Sequence, residues 1–153
     1  MQRATAYLAP GHTHSPTDQI SLVADERRLR RKLLHTIGGN GVLVDFPQTL
    51  TLEHCGALLL ENTEIVEIIA APELLYQIEA QDGASLVQLA WHIGNRHTAA
   101  QLEGGRILIK RDHVLKTMLQ GLGARIADIT EPFFPVHGAY HAHGETAHAL
   151  SAK

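Results

Sequence analysis

The sequence predicts an α+β protein, in which an all-β N-terminal domain precedes a domain with the element order βαββαβ. Three observations predict this fold class. Between residues 18 and 71, short aliphatic and β-branched runs alternate with turn residues. The segment Ala71-Pro72-Glu73 then marks a change of pattern. After it, two segments place apolar residues at the i, i+3, i+4 and i+7 spacing of an amphipathic helix, among further predicted strands.

The N-terminal part of the chain is predicted to contain an arm followed by strands. Residues 1–17 are polar and contain two prolines and a glycine, so we predict a flexible arm. Residues 18–71 form the β-rich domain, with a hairpin turn at Gly38–Gly41 and a strand-breaking residue at Pro47. Its clearest strands are Gly41–Val44, Ala57–Leu60 and Ile65–Ile69. The basic run Arg27–Lys32 has acidic neighbours, and we interpret it as a solvated face or a partner-docking edge.

Residues 72–135 are predicted to form the second domain. Its elements are a strand at Leu74–Glu79, a turn at Asp82-Gly83, a helix at Ser85–Ile93 ended by Gly94, a strand at Ala99–Leu102, a turn at Gly104-Gly105, a strand at Arg106–Lys110, a helix at His113–Leu122 with Asp112 as its N-cap and Gly123 as its terminator, and a strand at Arg125–Ile129. This order is the ferredoxin-like pattern, with two helices on one side of an antiparallel sheet. Residues 136–153 are predicted to be a flexible tail that carries histidines.

The composition limits the classes of protein to consider. The chain has 153 residues, of which 44% are hydrophobic and 19% charged, as in globular domains. A net charge of −3 gives no attraction to nucleic acid or to an anionic membrane. No apolar run reaches the roughly 20 residues that a membrane span requires, and the N-terminus lacks the apolar centre of a signal peptide. We therefore expect a cytoplasmic protein with neither nucleic acid nor membrane as a partner.

Histidine is the residue type that points to chemistry. The chain has 11 histidines and one cysteine, Cys55, which excludes a cysteine-based zinc site and an internal disulfide. Imidazole and carboxylate ligands suit nickel, copper(II) and zinc. His141 and His143 form an HxH pair whose side chains would project the same way in an extended segment. A second pair, His12 and His14, is interpreted as adventitious.

Three motifs together resemble a known family. They are AWHIGNRH at Ala90–His97, RDHVL at Arg111–Leu115, and Pro132-Phe133 followed by Gly138-Ala139-Tyr140. This combination closely resembles the urease accessory protein E family, the nickel metallochaperones of urease. The resemblance covers about residues 18 to 144. It implies an N-terminal β domain that docks partners and a ferredoxin-like domain through which the protein forms a homodimer.

The resemblance also implies a metal site for nickel(II), at which zinc(II) or copper(II) could compete. Its central ligand is the histidine of the DHV motif, here His113, placed at the dimer interface. His141 and His143 in the tail are the further ligands, with His137 and His148 as weaker candidates. The sequence departs from the family at Val136-His137, where an acidic residue is expected.

The expected partners are the urease apoprotein and the other urease accessory proteins, including the nickel-delivering GTPase. The chain has no GxxxxGK[ST] motif and so is not that GTPase itself. We expect no catalysed reaction, because the sequence shows neither a nucleophile motif nor HExxH.

Two alternatives remain at this point. A passive buffer for nickel, copper or zinc would use every one of the same ligands. A metal-dependent hydrolase would combine His92, His97, Asp112 and His113, and it would need three converging ligands. We interpret Asn95–His97 instead as residues that bond the last helix carbonyls and fix the loop.

Overall fold

The computed structural model describes residues 1–81 and 85–137, and the chain divides between Ala71 and Pro72 into two compact units. The N-terminal unit is built almost entirely of strands, and the C-terminal unit combines strands with two helices. This confirms the predicted α+β fold class. The predicted turn at Asp82-Gly83 lies outside the described residues.

The N-terminal unit forms one mixed, six-stranded sheet. Its elements are β1 (Gln2–Leu8), β2 (Asp18–Leu22), the single-turn helix α1 (Ala24–Arg27), β3 (Arg28–His35), β4 (Gly41–Thr51), β5 (Ala57–Leu60) and β6 (Ile65–Ala70). The strand order is β2-β6-β5-β1-β4-β3. The pairs β1–β4 and β2–β6 are parallel, and the remaining pairs are antiparallel.

The prediction of a flexible arm over residues 1–17 is wrong for its first half. Gln2–Leu8 form strand β1, which lies between β4 and β5 in the sheet. Ala4 is completely buried there and pairs with Val44 on one side and Leu60 on the other. Polar, exposed residues lie on either side of Ala4, and this alternation with a period of two residues is typical of a half-buried strand. Small alanines made that alternation too weak to recognise from the sequence.

Pro47 does not break its strand, contrary to the prediction. Strand β4 runs through it to Thr51, but the pairing with β3 shifts register between the pairs Leu29↔Leu50 and Arg31↔Asp45. Pro47 therefore sits in a β-bulge, where its missing N–H removes no ladder bond. The predicted turn at Gly38–Gly41 is confirmed: Thr36 N donates to Asn40 O at 2.9 Å, and Gly39 adopts a φ of 89°.

Asp18 ties the start of β2 to the turn between β3 and β4. Its carboxylate accepts hydrogen bonds from the Thr36 hydroxyl, from the backbone N–H groups of Gln19 and Gly38, and from the Asn40 side chain. These bonds, that of Thr36 foremost, hold the pKa of Asp18 below its usual value. The carboxylate thus stays ionised and bonded through the neutral range.

The core of this unit is aliphatic, with one buried phenylalanine. It is made by the inward residues of all six strands and by Leu52: Ala4, Ile20, Leu22, Leu29, Leu34, Val42, Val44, Phe46, Leu52, Leu58, Leu60, Val66 and Ile68. The alternation of buried Val42, Val44 and Phe46 along β4 shows why this segment reads as a strand.

The C-terminal unit has the predicted ferredoxin-like arrangement. Its elements are β7 (Pro72–Ala80), α2 (Leu86–Asn95), β8 (Gln101–Leu102), β9 (Ile107–Lys110), α3 (His113–Gly121) and β10 (Ala124–Pro132). The four strands form an antiparallel sheet in the order β10-β7-β9-β8. Both helices pack on one face of this sheet, through the cluster Tyr76, Ile78, Leu89, Ile93, Ile107, Ile109, Leu115, Leu119 and Ala124.

The helix ends differ slightly from the prediction. Helix α2 continues past Gly94 to Asn95, and the residue that takes the left-handed conformation after it is His97, with a φ of 56°. Gly123, with a φ of 94°, follows α3 as predicted. Among the described residues, neither helix is long and apolar enough to span a membrane.

We expect Gly56→Ala to destabilise the N-terminal unit by about 1–3 kcal/mol, the usual range for overpacking a filled site. A Cβ at this position would lie 2.4 Å from the Tyr7 hydroxyl oxygen and 2.7 Å from a ring carbon. Urea unfolding followed by circular dichroism measures the loss. Gly41→Ala is the matched control, because its Cβ would meet atoms no closer than 3.6 Å. Equal stability of the two variants would contradict the contact.

Candidate metal centre

His113 is the first residue of helix α3, and its side chain is exposed. The helix begins there because Asp112, in an extended conformation, accepts a hydrogen bond from Leu115 N at 3.0 Å. This is the N-cap that the sequence predicts. The carbonyl of His113 accepts from the Thr117 hydroxyl at 3.1 Å, and this bond leaves the side chain out of the helix hydrogen bonding.

Arg111 holds the segment before His113 against the sheet. Its Nε donates to the carbonyl of Leu75 on β7 at 3.2 Å, and its Nη2 donates to the carbonyl of Ile129 on β10 at 3.1 Å. Asp128 lies 3.8 Å from the same guanidinium. The segment before His113 is thus fixed to both β7 and β10, a role for Arg111 that the sequence alone did not reveal.

The loop after α2 presents a second exposed histidine. His97 adopts a left-handed conformation that residues with a Cβ rarely take, and its N–H donates to the Gly94 carbonyl at 2.9 Å. The N–H groups of Arg96 and Thr98 both reach the Ile93 carbonyl. Backbone groups alone therefore satisfy the helix end in the described part of the chain. Arg96 and His97 thus bond the last helix carbonyls as predicted, and they do so through their backbone N–H groups.

Residues that follow β10 lie beside this loop. Val136 N donates to the Ala100 carbonyl at 2.8 Å, and Phe134 N donates to the side chain of Gln101 at 2.9 Å. His137 is the next residue and is exposed. The polypeptide that leads into the tail is therefore attached next to the segment that begins at His97. Neither contact involves the start of α3.

The nearby carboxylates are already engaged. Arg106 binds Glu131 through both terminal nitrogens, at 3.0 and 2.9 Å, and Glu103 through Nε at 2.9 Å. Hydrogen bonds from Arg106 lower the pKa of both Glu131 and Glu103 below the usual glutamate value. These two glutamates are bonded to a guanidinium and are poorly placed to ligate a cation.

The described residues contain no group of three or more histidine, cysteine, aspartate or glutamate side chains that could hold a metal ion. His113 begins helix α3 and His97 lies in the loop after α2, while His92 is half-buried with its ring edge-on to Trp91 at 5.1 Å. The predicted ligands His141 and His143, and the weaker candidate His148, lie outside the described residues. A site within this part of one chain is therefore incomplete, and further ligands would come from the tail or from a second subunit.

The two helix ends differ in their electrostatic preference. Backbone dipoles leave a partial positive charge at the start of a helix and a partial negative charge at its end. His113 lies at the start of α3, where a cation is disfavoured, and His97 follows the end of α2, where a cation is favoured. This effect of the helix dipole, about 0.3–1 kcal/mol in typical exposed cases, disfavours a cation bound to His113 and favours one bound to His97.

Comparison with known proteins covers nearly the whole chain. Residues 2–71 match the model of the N-terminal domain of the UreE urease accessory protein, and residues 73–152 match its C-terminal domain. Proteins named urease accessory protein UreE are similar throughout. That of Rhizobium rhizogenes is 48% identical over 97% of this chain and 89% of its own length. Those of Agrobacterium fabrum and Rhizobium etli are 47% and 51% identical, over 97% and 94% of this chain and 92% and 72% of their own lengths.

We expect Asp112→Ala to cost about 1 kcal/mol of stability, the typical loss for an N-cap, because it leaves Leu115 N without its partner. Thermal unfolding followed by circular dichroism measures the loss. Ser85→Ala at the start of α2 is the matched control, since the Ser85 hydroxyl lies 3.4 Å from Gln88 N, a longer and weaker bond. A larger loss for Ser85→Ala than for Asp112→Ala would refute the role of the cap.

Proposed function

Because this chain belongs to the UreE family of urease accessory proteins, we propose that it is a metallochaperone that binds nickel(II) and delivers it for assembly of the urease active site. The match to both family domains along nearly the full chain is the observation that carries this proposal. Exposed histidines on the C-terminal unit supply imidazole ligands, which suit nickel and release it more readily than a closed cysteine site would.

The proposed metal site is shared between two subunits. His113 from each copy contributes to its core, and His141 and His143 complete the ligand set, with His137 and His148 as weaker contributors. One histidine binds a metal weakly by itself, and a two-fold axis would double the number of ligands without further residues. Zinc(II) and copper(II) favour the same ligands, so selectivity would depend on partners and on metal supply.

The Gly94–His97 loop is the competing anchor for the same metal. Three observations support it: His97 is exposed, it follows the favourable end of a helix, and the segment leading into the tail is attached beside it at Ala100. The two anchors imply the same function with different central ligands. A direct comparison of His113 and His97 therefore decides the site without putting the function in question.

A homodimer is supported by exposed apolar side chains on the C-terminal unit. Val87 and Trp91, one turn apart on α2, are 79% and 63% exposed, and Val114, next to His113, is 63% exposed. Clustered apolar exposure of this kind is usually covered by a partner. A second copy that covers these residues would bring its own His97 and His113 close to those of the first.

The proposed partners are the urease apoprotein and the other accessory proteins, including the nickel-delivering GTPase, and the proposed location is the cytoplasm. The protein itself would catalyse no reaction. A hydrolase would need three converging ligands within the fold, and no such group exists in residues 1–81 and 85–137. A passive metal buffer shares every ligand with a chaperone. Activation of apo-urease with nickel, with and without this protein, separates the two: a buffer would give no increase in active enzyme.

We expect Trp91→Glu to convert a dimer into a monomer. The substitution would remove an apolar contact from the proposed interface and would bury a carboxylate there. Light scattering on the full chain at tens of micromolar measures the mass. Gln88→Glu is the matched control, since Gln88 is exposed on the same helix and the charge change is identical. A parent protein that is already monomeric, or a Trp91→Glu protein that stays dimeric, would contradict this interface.

The metal anchor is tested with His113→Ala and His97→Ala, each compared with a chain truncated after residue 140. Equilibrium dialysis with nickel measures affinity and stoichiometry, and circular dichroism confirms folding. The variant that removes the shared central ligand should abolish the tightest site, about one metal per dimer. The truncation should keep that site with weaker affinity, since only supplementary ligands are lost. If neither substitution weakens nickel binding by about tenfold, the imidazole site on this unit is wrong.

A further inference from the structure

The basic run of the N-terminal unit lies on an edge strand. Strand β3, Arg28–His35, ends the sheet order β2-β6-β5-β1-β4-β3 and pairs only with β4. The other edge strand, β2, approaches the end of β3, where Ile37 N donates to the Gln19 carbonyl at 2.8 Å and Asp18 bonds the following turn. It forms no ladder with β3 in the described residues. Nothing so far assigned to the metal site uses this edge.

The register shows which backbone groups of β3 are available. Thr36 N donates to Asn40 O, so these residues form a hydrogen-bonded pair. Antiparallel ladders alternate bonded and non-bonded pairs, so Leu34↔Val42 is bonded and Leu33↔Leu43 is not. By the same count, Arg31↔Asp45 is not bonded. The N–H and C=O groups of Arg31 and Leu33 therefore point away from β4, and no other described backbone group bonds them.

The side chains around these groups carry positive charge. Arg30 donates to the Phe46 carbonyl at 3.2 Å, and Arg31 forms an ion pair with Asp45 at 2.9 Å, so both are held along the sheet. Lys32 is exposed and makes no ion pair within the described residues. Two aliphatic side chains stand beside them in solvent: Leu33 is 47% exposed and Ile37 is 67% exposed.

We propose that the outer edge of β3 binds an extended, acidic segment of a partner protein, which adds a strand to the sheet beside Arg31–Leu33. The free backbone groups would supply the main-chain hydrogen bonds of such an added strand. Lys32 would pair with a carboxylate of the segment, the two neighbouring arginines would add to the positive charge of the edge, and Leu33 would contact an apolar residue. The proposal concerns the N-terminal unit and stands apart from the metal site.

Two other occupants fit these observations less well. A second copy of the same edge would bring like charges into opposition, which destabilises strand pairing. Nucleic acid would use several freely placed cations, whereas Arg30 and Arg31 are bonded to β4 and the exposed Leu33 beside them is aliphatic. Charges on an edge strand also protect it from unwanted pairing. The positive charge of this edge repels a basic strand and gives a neutral strand no electrostatic gain. An acidic strand is the one whose pairing the charge would stabilise.

The test uses the full chain and two soluble synthetic peptides. One alternates glutamate with valine and threonine, and the other carries lysine in place of each glutamate. Amide resonances in two-dimensional NMR spectra report binding, and hydrogen exchange reports protection of individual N–H groups. We expect the acidic peptide to bind, to slow exchange at Arg31 and Leu33, and to bind more weakly as salt is raised. The lysine peptide should not bind.

Leu33→Pro is the decisive variant. The N–H of Leu33 points away from β4, so proline at this position removes a hydrogen bond to the added strand and none to β4. We expect at least tenfold weaker binding, while Leu33→Ala, which keeps the N–H, stays within about threefold of the parent. If Leu33→Pro disturbs the amide spectrum as a whole, Lys32→Glu replaces it, with Arg125→Glu on the other unit as the charge control.

Several outcomes would overturn the proposal. They are no binding of the acidic peptide at millimolar concentration, equal binding of both peptides, equal binding by Leu33→Pro and Leu33→Ala with intact spectra, or displacement of the acidic peptide by a single-stranded RNA oligonucleotide. Concentration-dependent self-association through Arg31–Leu33 would assign the edge to a second copy instead and would equally overturn it.

Discussion

The antiparallel ladder between β7 and β10 is the constraint on which the C-terminal unit depends. It runs unbroken from Ala124↔Ala80 to Pro132↔Pro72, so the last strand of the unit lies at the sheet edge beside the first, and the first strand is central. Because both helices then pack on one face, the end of α2 and the start of α3 are each fixed relative to these strands. Arg111 reinforces the arrangement by bonding a carbonyl on each strand of the pair.

The same ladder determines where the chain goes next. Residues after Pro132 pass from the β10 edge to the opposite edge of the sheet, where Val136 bonds Ala100 just before β8. A tail that starts there begins close to the Gly94–His97 loop, and Phe133 is completely buried where the segment turns. In the proposed metal site, the tail histidines would therefore start from a fixed point, which would lower the entropy lost when they bind the metal.

The sequence was a good guide to elements with strong local signals. The helices α2 and α3 show the 3.6-residue periodicity, Asp112 is a recognisable N-cap, and the order βαββαβ predicts the strand order found here. It was a poor guide where long-range pairing decides. Strand β1 contains small alanines between polar residues, so its place between β4 and β5 depends on partners about forty to fifty-six residues away. The bulge that accommodates Pro47 is likewise a property of two strands together.

For the candidate site, the sequence located the histidines but not the left-handed backbone of His97 or the two carbonyls held by Arg111, since both follow from tertiary structure.

The parallel pairs of the N-terminal unit also have a consequence for how the protein is made. Gln2 pairs with Val42, and Asp18 pairs with Val66, so the earliest strands have no partners until most of the unit has left the ribosome. Pairing between such distant segments is slow, because loop closure must precede any gain from contacts. Strands β3 and β4, joined by a short turn, can form their hairpin first. During synthesis, the apolar residues of β1 and β2 therefore stay uncovered the longest, and this is the interval in which the nascent chain is most open to aggregation or to capture by folding factors.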